Sequence, residues 1–197
     1  GVTPEMEKEA MRHARAGLLR AHYLVQNVRQ LARIIETQED MCVPVNLIDS
    51  IENAFAQAVL VTQARDVKFH IDGPEGSCYV LATDLLKDLF FNLLRNSIEY
   101  SPDEKRILVK IRPAESEDKA WWEIRIIDYG RGIEPELKPR LFERFLEGAQ
   151  GTGLGLSVVW ALAKAFSGSV TVEDRVPGDY RQGSVFIVTL QAAKRKG

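Results

Sequence analysis

Hydrophobic positions recur at spacings of three and four from Met11 through Ala14, Leu18, Ala21, Val25, Val28 and Ala32 to Ile35. That period predicts one long helix over residues 5–38, which hold no proline and a single glycine, Gly17. Leu24, Leu31 and Ile34 widen the apolar stripe beyond a two-stranded seam. The wider face suits a four-helix bundle and dimerisation through this helix. A helix packed on its own domain is the alternative. Residues 37–46 read as a connector, extended at Val43-Pro44-Val45 because proline disfavours helix in the residue before it.

After the connector, Asn46 opens a second helix to about Arg65. Short strands are predicted over 68–71 and 79–82, around the turn-forming stretch 72–76. Thr83 can cap a helix running to Tyr100, and Ser101-Pro102-Asp103 ends it. Alternation predicts strands over 106–112 and 121–128, separated by a polar loop. A glycine-rich stretch precedes a helix over 154–166, and strands over 170–173 and 184–190 flank the turn Pro177-Gly178-Asp179. Interleaved helices and strands make the chain after residue 45 an α+β domain. The expected division is a stem over 1–40 and a second domain over 45–191.

Composition changes this picture little. The 197 residues are 45% hydrophobic and 27% charged, an ordinary globular balance with room for a sizeable core. The formal net charge of −2 gives no global attraction to nucleic acid or an anionic membrane. Cys42 and Cys78 stand far apart and fit no metal spacing, so two inert thiols in a reducing compartment are expected. No apolar run is long enough to span a bilayer, and the polar, acidic start does not read as a signal peptide. The expectation is a cytoplasmic piece, or the cytoplasmic part of a membrane-bound sensor.

Three stretches carry candidate chemistry. On the helix ending near Tyr100, Leu86, Leu89, Phe90 and Leu93 form the apolar face. Asp88, Asn92, Asn96 and Glu99 share another narrow arc, at spacings of four, four and three. Two amide oxygens one turn apart beside a carboxylate can hold a hydrated Mg²⁺, which takes few protein ligands. A solvated helix face gives the same pattern. Next, Ile126-Ile127-Asp128 runs into Gly130 and Gly132. A carboxylate at a strand end can accept a hydrogen bond from an exocyclic amine, and the glycines let backbone approach a flat base. A hairpin turn reads alike. Third, Gly151-Thr152-Gly153-Leu154-Gly155-Leu156 stands directly before a helix. It can aim N–H groups at an anion, or serve as a linker. It lacks the lysine of a Walker loop.

In order and spacing, the set resembles the ATPase family shared by histidine kinases, type II topoisomerases, the Hsp90 chaperones and MutL, known as the GHKL superfamily. It is most similar to histidine kinases. Phe91-Asn92-Leu93-Leu94-Arg95-Asn96-Ser97-Ile98-Glu99-Tyr100-Ser101 resembles their N box, and Asp128-Tyr129-Gly130-Arg131-Gly132-Ile133 the G1 box. Leu141-Phe142-Glu143-Arg144-Phe145 resembles the F box, and Gly151 to Leu156 the G2 box. The resemblance covers about residues 45–191. It implies a two-layer α/β sandwich, a mixed sheet with helices on one face in the Bergerat-type ATP-binding fold. It also implies roles. Asn96 would bind Mg²⁺, with Asn92 close by. Asp128 would take the adenine amino group, Gly130 and Gly132 would shape the adenine pocket, Ile133 would belong to the ATP site, and Tyr100 would lie near the base. Arg144, Gly151, Thr152, Gly153, Leu154, Gly155 and Leu156 would complete the ATP site, beside a lid over 134–151. The helix over 5–38 resembles the second helix of the kinases' dimerisation stem.

The implied activity is transfer of the ATP γ-phosphoryl group to a stem histidine, then to the receiver domain of a response regulator. Expected partners are the first stem helix, a second copy through the stem, and that receiver domain, with no nucleic acid. The family's acceptor is a His followed by an acidic residue. His13 is followed by Ala14, His22 by Tyr23, and His70 lies on a candidate strand. The acceptor is therefore expected upstream, and this chain alone is not expected to autophosphorylate. Many relatives carry Lys where Glu99 stands and Arg about where Glu147 stands. Two anions near a triphosphate predict weak nucleotide affinity, with Lys138, Arg140 and Arg144 as partial offsets. The alternatives are a nucleotide-binding pseudokinase and an anti-sigma-type serine kinase. The latter lacks such a stem helix. A topoisomerase or MutL relative would need Glu where Asn92 stands.

Overall fold

The computed structural model describes residues 3–36, 41–76, 78–101, 105–114, 119–142 and 155–194. Helix α1 (Pro4–Glu36) leads into strand β1 (Val43–Asn46) and helix α2 (Leu47–Thr62). Strands β2 (Lys68–Asp72) and β3 (Tyr79–Ala82) precede helix α3 (Leu86–Glu99). Strands β4 (Arg106–Ala114) and β5 (Trp121–Asp128), helix α4 (Gly155–Ala165), and strands β6 (Ser169–Val176) and β7 (Asp179–Ala193) complete the chain.

The seven strands form one mixed sheet in the order β1-β3-β7-β5-β4-β2, with β6 also paired to β7. The β2–β4 pair is parallel, and the other pairs are antiparallel. Strand alternation decides which side chains enter the core. In β4 these are Ile107, Val109 and Ile111, and in β5 Ile124 and Ile126. Asp128 continues the β5 parity, so the strand delivers a carboxylate to the face that carries the core.

That face is covered by α2, α3 and α4, with α3 packed between the other two. Leu86, Leu89, Phe90, Leu93, Leu94 and Ile98 of α3 are buried to 2% exposure or less. Asn46 caps α2 through Oδ1, which accepts from the N–H groups of Ile48 (3.1 Å) and Asp49 (3.4 Å). Stacked rings of Phe55 and Phe69, 3.8 Å between centroids, tie α2 to β2. The C-terminal end of α1 docks on α4, burying Ile34, and Arg33 reaches Asp84 at 2.9 Å. Farther back, Met11 (72% exposed), Leu18 (73%), Val25 and Val28 of the predicted seam face outward.

The pattern placed these elements well, with differences at their ends. Val43-Pro44-Val45 is more than a connector: it pairs with β3, with Val43 opposite Ala82. Helix α2 stops at Thr62 because Gln63 is left-handed, at φ 52°. Thr83 sits one turn before α3, where its Oγ1 accepts from Leu85 N (3.3 Å). Strand β7 begins five residues earlier than alternation suggests and closes a hairpin with β6 that is irregular at Asp174 and Val176. Phe90 is fully buried at the centre of α3. Phe90→Ala is expected to cost about 3–5 kcal/mol, read as a lowered urea midpoint.

Candidate functional site

The polar arc of α3 is the floor of the site. Asn92 is 1% exposed. Its Nδ2 donates to the Asp88 carbonyl at 2.9 Å, which fixes the amide. Its Oδ1 is buried with no hydrogen-bond partner among the described residues. An orphaned buried acceptor costs about 1–3 kcal/mol, so something absent from the chain is expected to meet it. Gly155, the first residue of α4, stands over this atom. A Cβ there would lie 3.1 Å from Asn92 Oδ1 and 3.3 Å from Arg95 Nη2. The positive end of the α4 dipole therefore sits beside the amide. Asn96, one turn on, is half-buried on the same arc.

A divalent cation fits this donor set. Mg²⁺ prefers amide, carboxylate, water and phosphate oxygens and needs few from protein. Asn92 and Asn96 supply two amides, and Asn92 Oδ1 lacks any other partner among the described residues. No group of three or more His, Cys, Asp or Glu side chains that could cage a metal exists among the described residues.

Asp128 is the second centre. Its Oδ1 accepts from Gly130 N at 2.9 Å and from Ser184 N at 3.1 Å. Its Oδ2 has no hydrogen-bond partner among the described residues, which leaves one carboxylate oxygen for a donor from outside. Burial pushes the Asp128 carboxyl up, and the two N–H donors and the Arg175 charge only partly oppose it. The turn after Asp128 is wedged between α3 and β7. A Cβ on Gly130 would meet the Tyr100 carbonyl at 2.7 Å. Gly132 has φ +69°, and a Cβ there would lie 1.5 Å from the Tyr180 carbonyl, so no other residue fits without moving backbone.

Tyr100 ends α3 at this turn. Its carbonyl accepts from Arg131 N (3.2 Å), and its ring lies 4.7 Å from the Arg131 guanidinium carbon. Tyr129 lies between Arg106 (5.0 Å) and Arg175 (4.3 Å). Ile133, Leu141, Phe142 and Leu156 are half-buried against the core. Lys138 pairs with Asp174 of β6 at 2.5 Å, which pins the start of the expected lid. Glu99 is half-exposed, and its carboxyl is raised by partial burial against the pull of Arg95.

Tyr100, Asp128, Gly130 and Gly132 thus gather at one end of α3, and Asn92 and Gly155 lie side by side. Arg144, Gly151, Thr152, Gly153 and Leu154 lie outside the described residues, as do Glu143, Phe145 and Glu147. Sequence reasoning missed Ser184, whose N–H holds Asp128 from 56 positions away. It also missed Arg175, whose charge bears on Asp128. The Gly183-Ser184 pair opening an apolar run was the available signal for Ser184.

Asp128 sets a pH dependence. Its folded value is raised, so its contribution to stability is present below the unfolded value of about 4 and is lost as pH rises through the folded value. Its buried charge, once formed, weighs against the fold. Asp128→Asn keeps an oxygen for Gly130 and Ser184 and removes the buried charge. It is expected to raise the thermal midpoint at neutral pH by a few degrees and to flatten the decline in stability above about pH 4. Thermal unfolding across pH checks this, and a lowered midpoint contradicts it.

Residues 82–194 match the family described as "Histidine kinase-, DNA gyrase B-, and HSP90-like ATPase". Among curated proteins, the swarming motility regulation sensor protein RssA of Serratia marcescens is 32% identical over 204 residues, covering 98% of this chain and 41% of that protein. The signal transduction histidine-protein kinase/phosphatase MprB of Mycobacterium avium is 30% identical over 152 residues, covering 75% of this chain and 28% of that protein. The chain therefore spans less than half the length of these relatives. Among solved structures, full-length ShkA in complex with AMPPNP superposes with a TM-score of 0.72 at 22% identity, over 100% of this chain and 41% of that one. At that identity the likeness speaks for the fold. No helix among the described residues is long and apolar enough to cross a membrane. With the family match covering more than half of the chain, and the expected mixed sheet with helices on one face in place, the chain belongs to the histidine kinase-, DNA gyrase B- and HSP90-like ATPase family.

Proposed function

We propose that this chain is the ATP-binding, phosphotransferring part of a sensor histidine kinase, attached to the second helix of its dimerisation stem. The observation that carries the reading is the buried carboxylate of Asp128. One oxygen is held by Gly130 and Ser184, and the other has no partner among the described residues. An acceptor fixed among buried residues suits the amino group of adenine, and Tyr100 and Arg131 pair beside the same turn. Asn92 and Asn96 hold Mg²⁺ in this reading, and the ion neutralises phosphate charge when bound. Gly155 and the positive end of α4 face the phosphates.

The reaction is phosphoryl transfer. A nitrogen of a neutral stem imidazole attacks the γ-phosphorus, a P–N bond forms, the bridging P–O bond breaks, and ADP leaves. The protein's share is positioning and charge stabilisation. The phosphoryl group next passes to an aspartate of a response regulator. The outward apolar positions Met11, Leu18, Val25 and Val28 of α1 support pairing with the first stem helix and a second copy. The relatives that match are named sensors and kinases, which supports the same reading and a cytoplasmic site for this part. A pseudokinase that binds nucleotide without transfer is the second reading, favoured by an acidic Glu99 near the phosphate side of the site.

Titration with MgATP decides between them. Binding is expected to need Mg²⁺ and to weaken by roughly tenfold or more in Asp128→Ala. A stem fragment carrying the acceptor histidine, added in trans, is expected to gain acid-labile phosphate, while the chain alone gains none. Binding without transfer favours the pseudokinase, and no binding at millimolar ATP overturns the nucleotide reading.

A further inference from the structure

Arg95 stands on the same stripe of α3 as Asn92 and Glu99, and the roles above leave it without a task. It is 8% exposed, a deep placement for a guanidinium. Its Nη2 lies 3.3 Å from the point that a Cβ on Gly155 would occupy, and Asn92 Oδ1 lies 3.1 Å from that same point. A guanidinium beside the first turn of α4 sets two positive centres together. An orphaned amide oxygen stands next to them. Such a grouping offers a place to an anion that brings its own cation. On α3 the nearby anion is Glu99, whose Oε1 is 3.6 Å from Arg95 Nε, too long for a strong hydrogen bond. The Glu99 side chain is 40% exposed, whereas that of Arg95 is 9% exposed. The carboxylate can swing into solvent, and the guanidinium cannot.

We infer that Arg95 is a phosphate-engaging side chain of this pocket and that Glu99 is its counterion in the nucleotide-free state, displaced when phosphate oxygens arrive. The inference rests on the ATP-binding reading and adds to it a residue and a mode of competition. Glu99 opposes nucleotide binding by occupying Arg95, so its effect runs through Arg95. Simple repulsion between Glu99 and the phosphates would not depend on Arg95 at all.

A double-mutant cycle separates the two. The chain and its Glu99→Gln, Arg95→Gln and doubly substituted forms are titrated with MgATP and with adenosine, which has no phosphate. Glu99→Gln is expected to tighten MgATP by about two- to fivefold, the scale of a half-exposed ion pair. Arg95→Gln is expected to weaken MgATP by roughly tenfold or more, the scale of a charge-assisted hydrogen bond. In the Arg95→Gln background, Glu99→Gln changes nothing. Adenosine binding stays constant throughout, which also shows that the variants fold. Should Arg95→Gln unfold, Arg95→Lys carries the test, with weakened MgATP and unchanged adenosine expected. An equal gain from Glu99→Gln with and without Arg95 overturns the inference. So does a parallel loss of adenosine affinity in the Arg95 variants, which marks a structural role. If the unaltered chain binds adenosine and MgATP equally, this inference fails and the adenine pocket stands. If it binds neither, the nucleotide reading itself fails.

Discussion

The constraint on which the site depends is the double hydrogen bond to Asp128 Oδ1. It joins the end of β5 to the Gly130 turn and to Ser184 of β7. A carboxylate that is 6% exposed stays in place only if such donors offset part of its desolvation. The two donors do more than offset: they fix the rotamer, so that Oδ2 is the oxygen left over. The turn they hold then has no slack. Gly130 abuts the Tyr100 carbonyl and Gly132 the Tyr180 carbonyl, so the end of α3 and the β6–β7 hairpin are both placed by it. Pocket shape and sheet packing are one solution here.

Helix α3 supplies the other half. Its apolar face is the middle of the helical layer, so the helix is held by the core while its polar arc looks toward α4 and the Asp128 turn. A helix this deeply packed positions Asn92 and Asn96 more firmly than a loop would. The same rigidity has a cost. Asn92 Oδ1 is kept buried without a partner among the described residues, and the Asp128 carboxyl is raised, so the empty site is less stable than an apolar one would be. A ligand that brings a cation and a donor amine together would relieve both strains. That coincidence ties the geometry to nucleotide binding.

Much of this was legible along the chain. The period of α3 placed four hydrophobic and four polar positions on separate faces, and the structure keeps them so. The Asp128-to-Gly132 spacing marked a turn, and the turn is there. What stayed hidden depends on partners distant in sequence. Strand β1 is four residues with a proline, too short for alternation to declare it, and its pairing with β3 makes it a strand. Ser184 became a site residue through register, because β5 and β7 run side by side. Arg95 stood inside the stretch that resembles the N box with no role of its own, and only the approach of α4 shows that its guanidinium is buried beside Gly155.

The central claim is that Asp128 reads the amino group of adenine. It is tested most directly by comparing MgATP with MgITP, in which a carbonyl replaces that amine. The account predicts that this chain prefers MgATP by about tenfold or more and that Asp128→Asn, able to donate through Nδ2, loses or inverts the preference. Equal binding of the two nucleotides, or a preference that survives in Asp128→Asn, would contradict it.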